Sequence, residues 1–206
     1  MNQPRAVGRP KDPEKREAIL LAAARLFLEQ GFERTTVDAI ATQAGVSKLT
    51  VYSHFDGKEG LFQALIVDKC AEHFGAPDFT ALAPRGPRAA LTHIALAFLP
   101  LMFHPDVIAL HRILATGRDA QMNRTFWETG PRRLLADLAA LLARFHAERE
   151  LDVPDPALAA DQFFALLKGA DHLRAILAVG ELPPPHALQD YGEAAVDTFL
   201  RAYAPR

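Results

Sequence analysis

A single cysteine, Cys70, among 206 residues excludes an intramolecular disulfide and any multi-cysteine zinc site. Set in the apolar run LFQALIVDKCAEHF, it reads as a structural thiol. Long apolar runs are missing as well. The stretch LTHIALAFLPLMF falls short of the roughly 18 residues a membrane helix needs, and His93 and Pro100 interrupt it. The amino terminus, MNQPRAVGRPKDPEKRE, is polar and basic without an apolar secretory core, so a cytoplasmic location is expected. No segment alternates apolar and polar residues between hairpin turns, which argues against sheet. Eight histidines are present, yet there is no H-E-x-x-H pair, phosphate-binding glycine loop or nucleophile elbow. The expectation is therefore a protein that is not an enzyme and carries no metal or cofactor. Asp171-His172 could be read as a catalytic fragment, but a buried polar pair or an interface contact is the plainer reading.

What is present is helical periodicity, from about residue 13 to the end. Half of the residues are hydrophobic, enough for a substantial core, and the net charge is only −2. The signs are unevenly placed. Arg5, Arg9, Lys11, Lys15 and Arg16 crowd the first 16 residues, whereas residues 61–206 hold 14 Lys/Arg against 17 Asp/Glu. A basic end on a mildly acidic body points to a local polyanion contact. The fold class is all-α, with about nine helices. Asp12-Pro13 announces the first, as cap and first helical residue, and Gly31 ends it. GAPDFTALAPRGP reads as a loop. RTFWETGPRRLLADLAALLARFHAERE reads as one long helix in which Gly130-Pro131 imposes a kink or a fresh start. PALAADQFFALLKGADHLRAIL gives a helix of about seven turns, and ALQDYGEAAVDTFLRAYA the last.

In VDAIATQAGVSKLTVYSHF, Ala41, Gly45 and Val51 stand at positions 5, 9 and 15 counted from Val37, the spacing of a helix-turn-helix. Ala41 is small where the second helix crosses, Gly45 gives the turn its backbone freedom, and Val51 anchors the second helix. Ile40 and Val46 fill the remaining apolar positions. Thr36, or Thr35 with Asp38 three residues on, caps the first helix. The second helix, about Ser47 to Phe55, would enter the DNA major groove. Its outward residues are Ser47, Lys48, Leu49, Thr50, Ser53 and His54, suited to phosphates and base edges. Leu49 is the odd member, because it lies off the face that Val51 and Phe55 share. On that side an apolar chain can meet a thymine methyl.

The segment GRPKDPEKREAILLAAARLFLEQGFERTTVDAIATQAGVSKLTVYSHFDGKEGLF closely resembles the amino-terminal domain of the TetR family of bacterial transcriptional regulators. FLEQGF, TTVDAIA, AGVS and above all Tyr52, His54, Phe55, Lys58 and Leu61, similar to the family's Y-x-H-F-x-x-K-x-x-L signature, carry the likeness. The resemblance implies phosphate contacts for Thr36, Lys58 and the Tyr52 hydroxyl. It makes Lys48, Thr50 and His54 candidates for base or adjacent phosphate contacts. Leu49 departs from the family, which usually has a small residue or proline there. Arg5 and Arg9, on the basic arm, are candidates for the neighbouring minor groove.

The implied plan is a helix-turn-helix DNA-binding domain over residues 1–60 and a larger effector-binding and dimerisation domain over 61–206. The carboxy-terminal half looks more specifically AefR-like. For a small apolar or aromatic effector the candidates are His93, Phe98, Met102, Phe103, His111, Phe126, Trp127, Phe164 and His172. For a homodimer interface they are Phe163, Leu167, Ala170, Leu173, Leu177, Ala195, Phe199 and Tyr203, together with Leu166. The expected function is a sequence-specific repressor that a small ligand releases from a palindromic operator on double-stranded DNA, with no membrane partner. A transcriptional activator of the same family is the alternative. An architectural DNA binder or an all-helical enzyme stands further off.

Overall fold

The computed structural model describes residues 12–74, 78–116 and 119–205. Among these are ten α-helices and one 3-10 segment, and no strand. Two compact units are separated within the fourth helix, the first ending at Leu65 and the second starting at Ile66. No single described helix is long and apolar enough to cross a membrane.

In the first unit, α1 (Pro13–Gln30) starts where the Asp12 carboxylate accepts from the Glu14 amide at 3.1 Å. Its apolar stripe buries Ile19, Ala22, Ala23 and Phe27. α2 (Val37–Ala44) and α3 (Lys48–His54) follow, then α4 (Gly57–Phe74). Phe27, Phe32 and Phe62 pack as a triad, with ring centroids 5.2, 5.5 and 6.0 Å apart. That contact fixes the first turns of α4 against the end of α1, and offset or edge-on aromatic packing of this kind adds to the burial energy.

The second unit contains the 3-10 segment Phe79–Arg85, α5 (Gly86–Met102), α6 (Pro105–Thr116), α7 (Ala120–Thr129), α8 (Pro131–Ala147), α9 (Pro156–Leu177) and α10 (Pro185–Ala202). Its core joins Leu91, Ile94 and Leu99 of α5 with Leu138, Leu141 and Phe145 of α8, Phe163 and Leu167 of α9, and Val196 and Phe199 of α10. Cys70 is half-buried against this core, and burial raises its thiol pKa, in keeping with a structural role.

Two features differ from the sequence expectation, and at Gly130-Pro131 the chain takes one of the two expected forms. The loop expected at GAPDFTALAPRGP holds the 3-10 segment, because Phe79 and Ala83, four residues apart, are buried and Phe79 meets Phe74 at 5.5 Å. The long helix around Gly130-Pro131 is two helices. Pro131 has no amide hydrogen to continue the ladder, and Gly130 (φ −107°, ψ −85°) accepts from Leu134 at 3.2 Å to open α8. Finally, α9 breaks at Gly169 (φ 53°, ψ −164°), a conformation that favours glycine. The Tyr191 hydroxyl donates to the Leu166 carbonyl there at 2.7 Å, and a Cβ on residue 169 would stand 2.4 Å from that hydroxyl.

Where α10 crosses α5, Gly192 is buried, and a Cβ built there would approach Leu99 Cδ1 to 2.9 Å. Gly192→Val therefore overpacks this crossing. Urea unfolding should show a lower midpoint at unchanged slope, a loss of about 1–3 kcal/mol.

Candidate nucleic-acid interface and effector site

The helix-turn-helix is set by backbone bonds before any side chain enters. Gly45 turns into the left-handed region (φ 67°, ψ 31°), and the Val46 amide donates back to Ala41 O at 3.0 Å. Thr36 is the cap of α2, its hydroxyl accepting from the Ala39 amide at 3.1 Å. Thr35 is buried instead, and its hydroxyl donates to Gly31 O at 2.8 Å and Leu26 O at 3.2 Å. Ser47 caps α3 by accepting from the Thr50 amide at 3.1 Å. Val51 of α3 and Phe55 at its C-cap are buried, as are Ile40 and Ala41 of α2. The roll of α3 is thereby fixed.

Ser47, Lys48, Leu49, Tyr52 and Ser53 lie exposed, while Thr50 and His54 are half-buried. Several of these groups are already engaged. The Ser47 and Thr50 hydroxyls are bonded to each other at 2.8 Å, the Ser53 hydroxyl donates to Thr50 O at 2.7 Å, and Lys48 Nζ pairs with Asp38 Oδ2 at 3.0 Å. That exposed pair is worth little and is easily exchanged for a phosphate. Lys58 is tied more firmly. Its ammonium donates to Phe32 O at 2.8 Å and lies 4.3 Å from the Phe32 ring centroid. It therefore closes the α1–α2 connection, a structural role that the sequence did not disclose. Leu49 is the contrast, 81% exposed. Arg5 and Arg9 lie outside the described residues.

In the second unit four of the effector candidates form a chain of rings. Phe103 meets His172 at 6.0 Å, His172 meets His111 at 5.3 Å, and His111 meets Phe126 at 5.5 Å, each pair close to perpendicular. His172 is buried, and Nδ1 of His111 and Nε2 of His172 are buried without a hydrogen-bond partner. Burial pushes the His111 pKa down to about 4, helped by His172 and Lys168, and burial lowers that of His172. Phe98 and Phe164 pair separately at 4.7 Å, and Met102 is buried. Two expectations need correction here. His93 is exposed on α5 and Trp127 is 49% exposed on α7, because both fall on the faces opposite the buried stripes. Asp171 accepts from Arg174 at 2.9 Å, which occupies the carboxylate of the Asp171-His172 fragment.

The dimer candidates also divide. Phe163, Leu167, Ala195 and Phe199 are buried in the core of their own chain, so they offer no surface to a partner. Tyr203 is half-buried, stacked on Phe199 at 4.6 Å with its hydroxyl donating to Gln162 at 2.5 Å, and Leu166 is likewise half-buried. Helical periodicity picked out these apolar faces but could not say which of them the chain itself covers. Ala170, Leu173 and Leu177 are exposed, with 58% and 63% of the two leucines accessible.

Residues 19–65 match the bacterial regulatory proteins of the tetR family, and residues 89–205 match the C-terminal domain of AefR-like transcriptional repressors. The chain is 37% identical to the flavonoid-responsive regulator FrrA, covering 95% of this chain and 100% of that one with a TM-score of 0.71. A TetR-family regulator from Mesorhizobium loti is 26% identical, with the same coverages and a TM-score of 0.77. The repressor BepR of Brucella suis biovar 1 (strain 1330) is 49% identical over 53 residues, which is 26% of this chain and 25% of BepR. The likeness to that curated relative thus spans only a quarter of its length.

The imidazole pair makes a pH prediction. An unfolded His111 takes up its proton through its ordinary value of 6.5, while the folded one stays neutral down to about 4. Stability is therefore lost as pH falls from 6.5 towards 4 and levels off below. His111→Leu should remove up to about 3 kcal/mol of that acid loss, measured by urea unfolding at neutral pH and near pH 4.

Proposed function

The chain belongs to the TetR family of bacterial transcriptional regulators, and from that premise we propose that it is a cytoplasmic homodimeric repressor, without catalytic activity. We read residues 1–60 as the DNA-binding domain and 61–206 as the effector-binding and dimerisation domain. A small apolar or aromatic ligand bound in the second releases the first from a two-fold symmetric operator. The observation that carries the DNA-binding part is the fixed roll of α3. Burial of Val51 and Phe55 leaves Lys48, Leu49, Tyr52 and Ser53 exposed to meet a groove. Thr36, Ser47, Thr50 and His54 serve alongside them, with Arg5 and Arg9 on the arm. Lys58 adds charge near the backbone while holding the α1–α2 connection.

The reading of the second domain is supported by the ring chain around His111 and His172, by the name of FrrA as a flavonoid-responsive regulator, and by the AefR-like match. Release requires the ligand to favour the dimer geometry that fits the operator less well. Selection from random duplex DNA, followed by footprinting, tests the whole reading. It should yield an inverted repeat preferred by about 10³-fold or more over nonspecific DNA. A protein that binds all sequences within about tenfold of each other would be architectural. Promoter fusions decide the sign, because an activator would lower transcription when deleted.

Leu49 gives this reading head its individual preference, by contact with a thymine methyl in each half-site. Leu49→Ala should weaken binding to the selected operator by about 1 kcal/mol, with the loss confined to one base position and nonspecific affinity intact. Equal loss on every sequence would assign Leu49 no part in readout.

Dimerisation is assigned to the exposed stripe Ala170, Leu173 and Leu177, whose spacing puts all three on one face of α9. The double variant Leu173→Glu, Leu177→Glu should sediment as a monomer with unchanged helicity and lose operator binding. A dimer that survives both charges would move the interface elsewhere.

A further inference from the structure

Among the described residues three buried side-chain nitrogens have no protein hydrogen-bond partner, and two of them, His111 Nδ1 and His172 Nε2, sit in one ring chain. An unsatisfied buried polar atom costs free energy that an apolar residue in its place would not. Leucine or phenylalanine would fill the same space at helical positions 111 and 172. The two imidazoles are presented together, their centroids 5.3 Å apart and their planes at 82°. Each is flanked by a phenyl ring edge-on, His172 by Phe103 and His111 by Phe126. The arrangement is an apolar aromatic surround with two polar atoms inside it, the composition of a small-ligand site.

The chemistry of the pair narrows the ligand. Burial keeps both rings neutral, so at each free nitrogen the ring either donates or accepts, according to tautomer. A hydroxyl satisfies one of each, as a water would, giving its hydrogen to one imidazole and accepting from the other. A carboxylate meets the same desolvation that holds the imidazoles neutral, and neutral rings supply no charge to offset it. The nearby cation is Lys168, whose own pKa burial lowers. Edge-on contact with flanking phenyl rings favours a flat aromatic body over an aliphatic one.

We propose that His111 and His172 form the polar end of the effector site and recognise the hydroxyl of a phenol-class aromatic. The proposal rests on the reading of the second domain as the effector-binding domain and names its ligand class. The hydroxyl bridges the two imidazoles, and the ring system to which it is attached packs against Phe103 and Phe126.

The test uses three fluorescent probes of one shape on the full chain: 2-naphthol, 2-methoxynaphthalene, which cannot donate, and 2-naphthoate. The naphthol should bind at least about tenfold more tightly than the methyl ether, the worth of one hydrogen bond to a buried group. The double variant His111→Leu, His172→Leu should bring that ratio to within about threefold while retaining the methyl ether, because either imidazole left alone still accepts the naphthol hydrogen. Equal binding of naphthol and ether by the wild type overturns the proposal, as does a ratio that the double variant leaves unchanged, or tighter binding of the naphthoate. If a leucine variant fails to fold by circular dichroism, the wild-type ratio decides alone. Adding each probe to the protein on its selected operator separates the two levels of the argument. Equal binding and equal release by naphthol and ether would leave the effector reading standing and remove only the phenol. Absence of binding and release by all three would remove both.

Discussion

The reading surface depends on the contact between Phe27, Phe32 and Phe62. These rings join the end of α1, the connection to α2 and the start of α4 at centroid distances of 5.2 to 6.0 Å. The connection they brace also carries Thr35, whose buried hydroxyl returns to the carbonyls of Leu26 and Gly31, and it receives the ammonium of Lys58. With the connection into α2 held in this way, α3 can be short. Seven helical residues are too few to be stable alone, and α3 persists because Val51 and Phe55 are buried and Ser47 caps it. Its outer face is then free of any packing duty.

That freedom explains why Leu49 stands apart from its neighbours. The serine and threonine hydroxyls on α3 satisfy one another or the local backbone, and Lys48 has Asp38. In the proposed DNA contact each of these polar groups gives up an existing partner, so its net contribution is a difference between two bonded states. Leu49 has nothing to give up. At 81% exposure it leaves water on contact, and the return scales with the apolar area removed. Phosphate contacts hold the protein on any duplex, whereas an apolar contact with a methyl group discriminates between base pairs.

The sequence disclosed most where one residue type has one physical reason to be present. Gly45 at the turn, Thr36 as one of two candidate caps, Asp12-Pro13 at a helix start and the buried pair Val51 and Phe55 were readable from type and spacing, whereas Ser47 was read only as an outward residue and also caps α3. Lys58 was not, because a lysine that caps distant carbonyls looks the same in sequence as one that faces a phosphate. The apolar stripes of α9 and α10 failed for a related reason. Periodicity finds an apolar face, but whether the chain's own core or a second copy covers it depends on tertiary packing, and Phe163, Leu167, Ala195 and Phe199 proved to be core. His93 and Trp127 were grouped with the effector candidates by residue type, although the faces they occupy are exposed. The fresh start at Gly130-Pro131 was one of two outcomes open to that dipeptide, and the break at Gly169 was hidden in a strongly periodic helix.

The break at Gly169 ties the two functions proposed for the second unit to one short segment. Beyond it, α9 is no longer held by a continuous helical ladder. Tyr191 takes up the carbonyl of Leu166 on one side, and Arg112 of α6 donates to the carbonyls of Ala175 and Ile176 at 2.6 and 2.8 Å on the other. The segment from Ala170 to Leu177 therefore has its own fixing points. It carries His172 inward to the ring chain and Leu173 and Leu177 outward. On the proposed reading, a ligand at His172 and a partner over the two leucines act on the same eight residues from opposite sides. Any difference in ligand affinity between two positions of this segment is, by linkage, an equal difference in the free energy of the two corresponding dimer geometries. Coupling of effector to dimer then needs no path through the rest of the core, only a segment that belongs to both contacts.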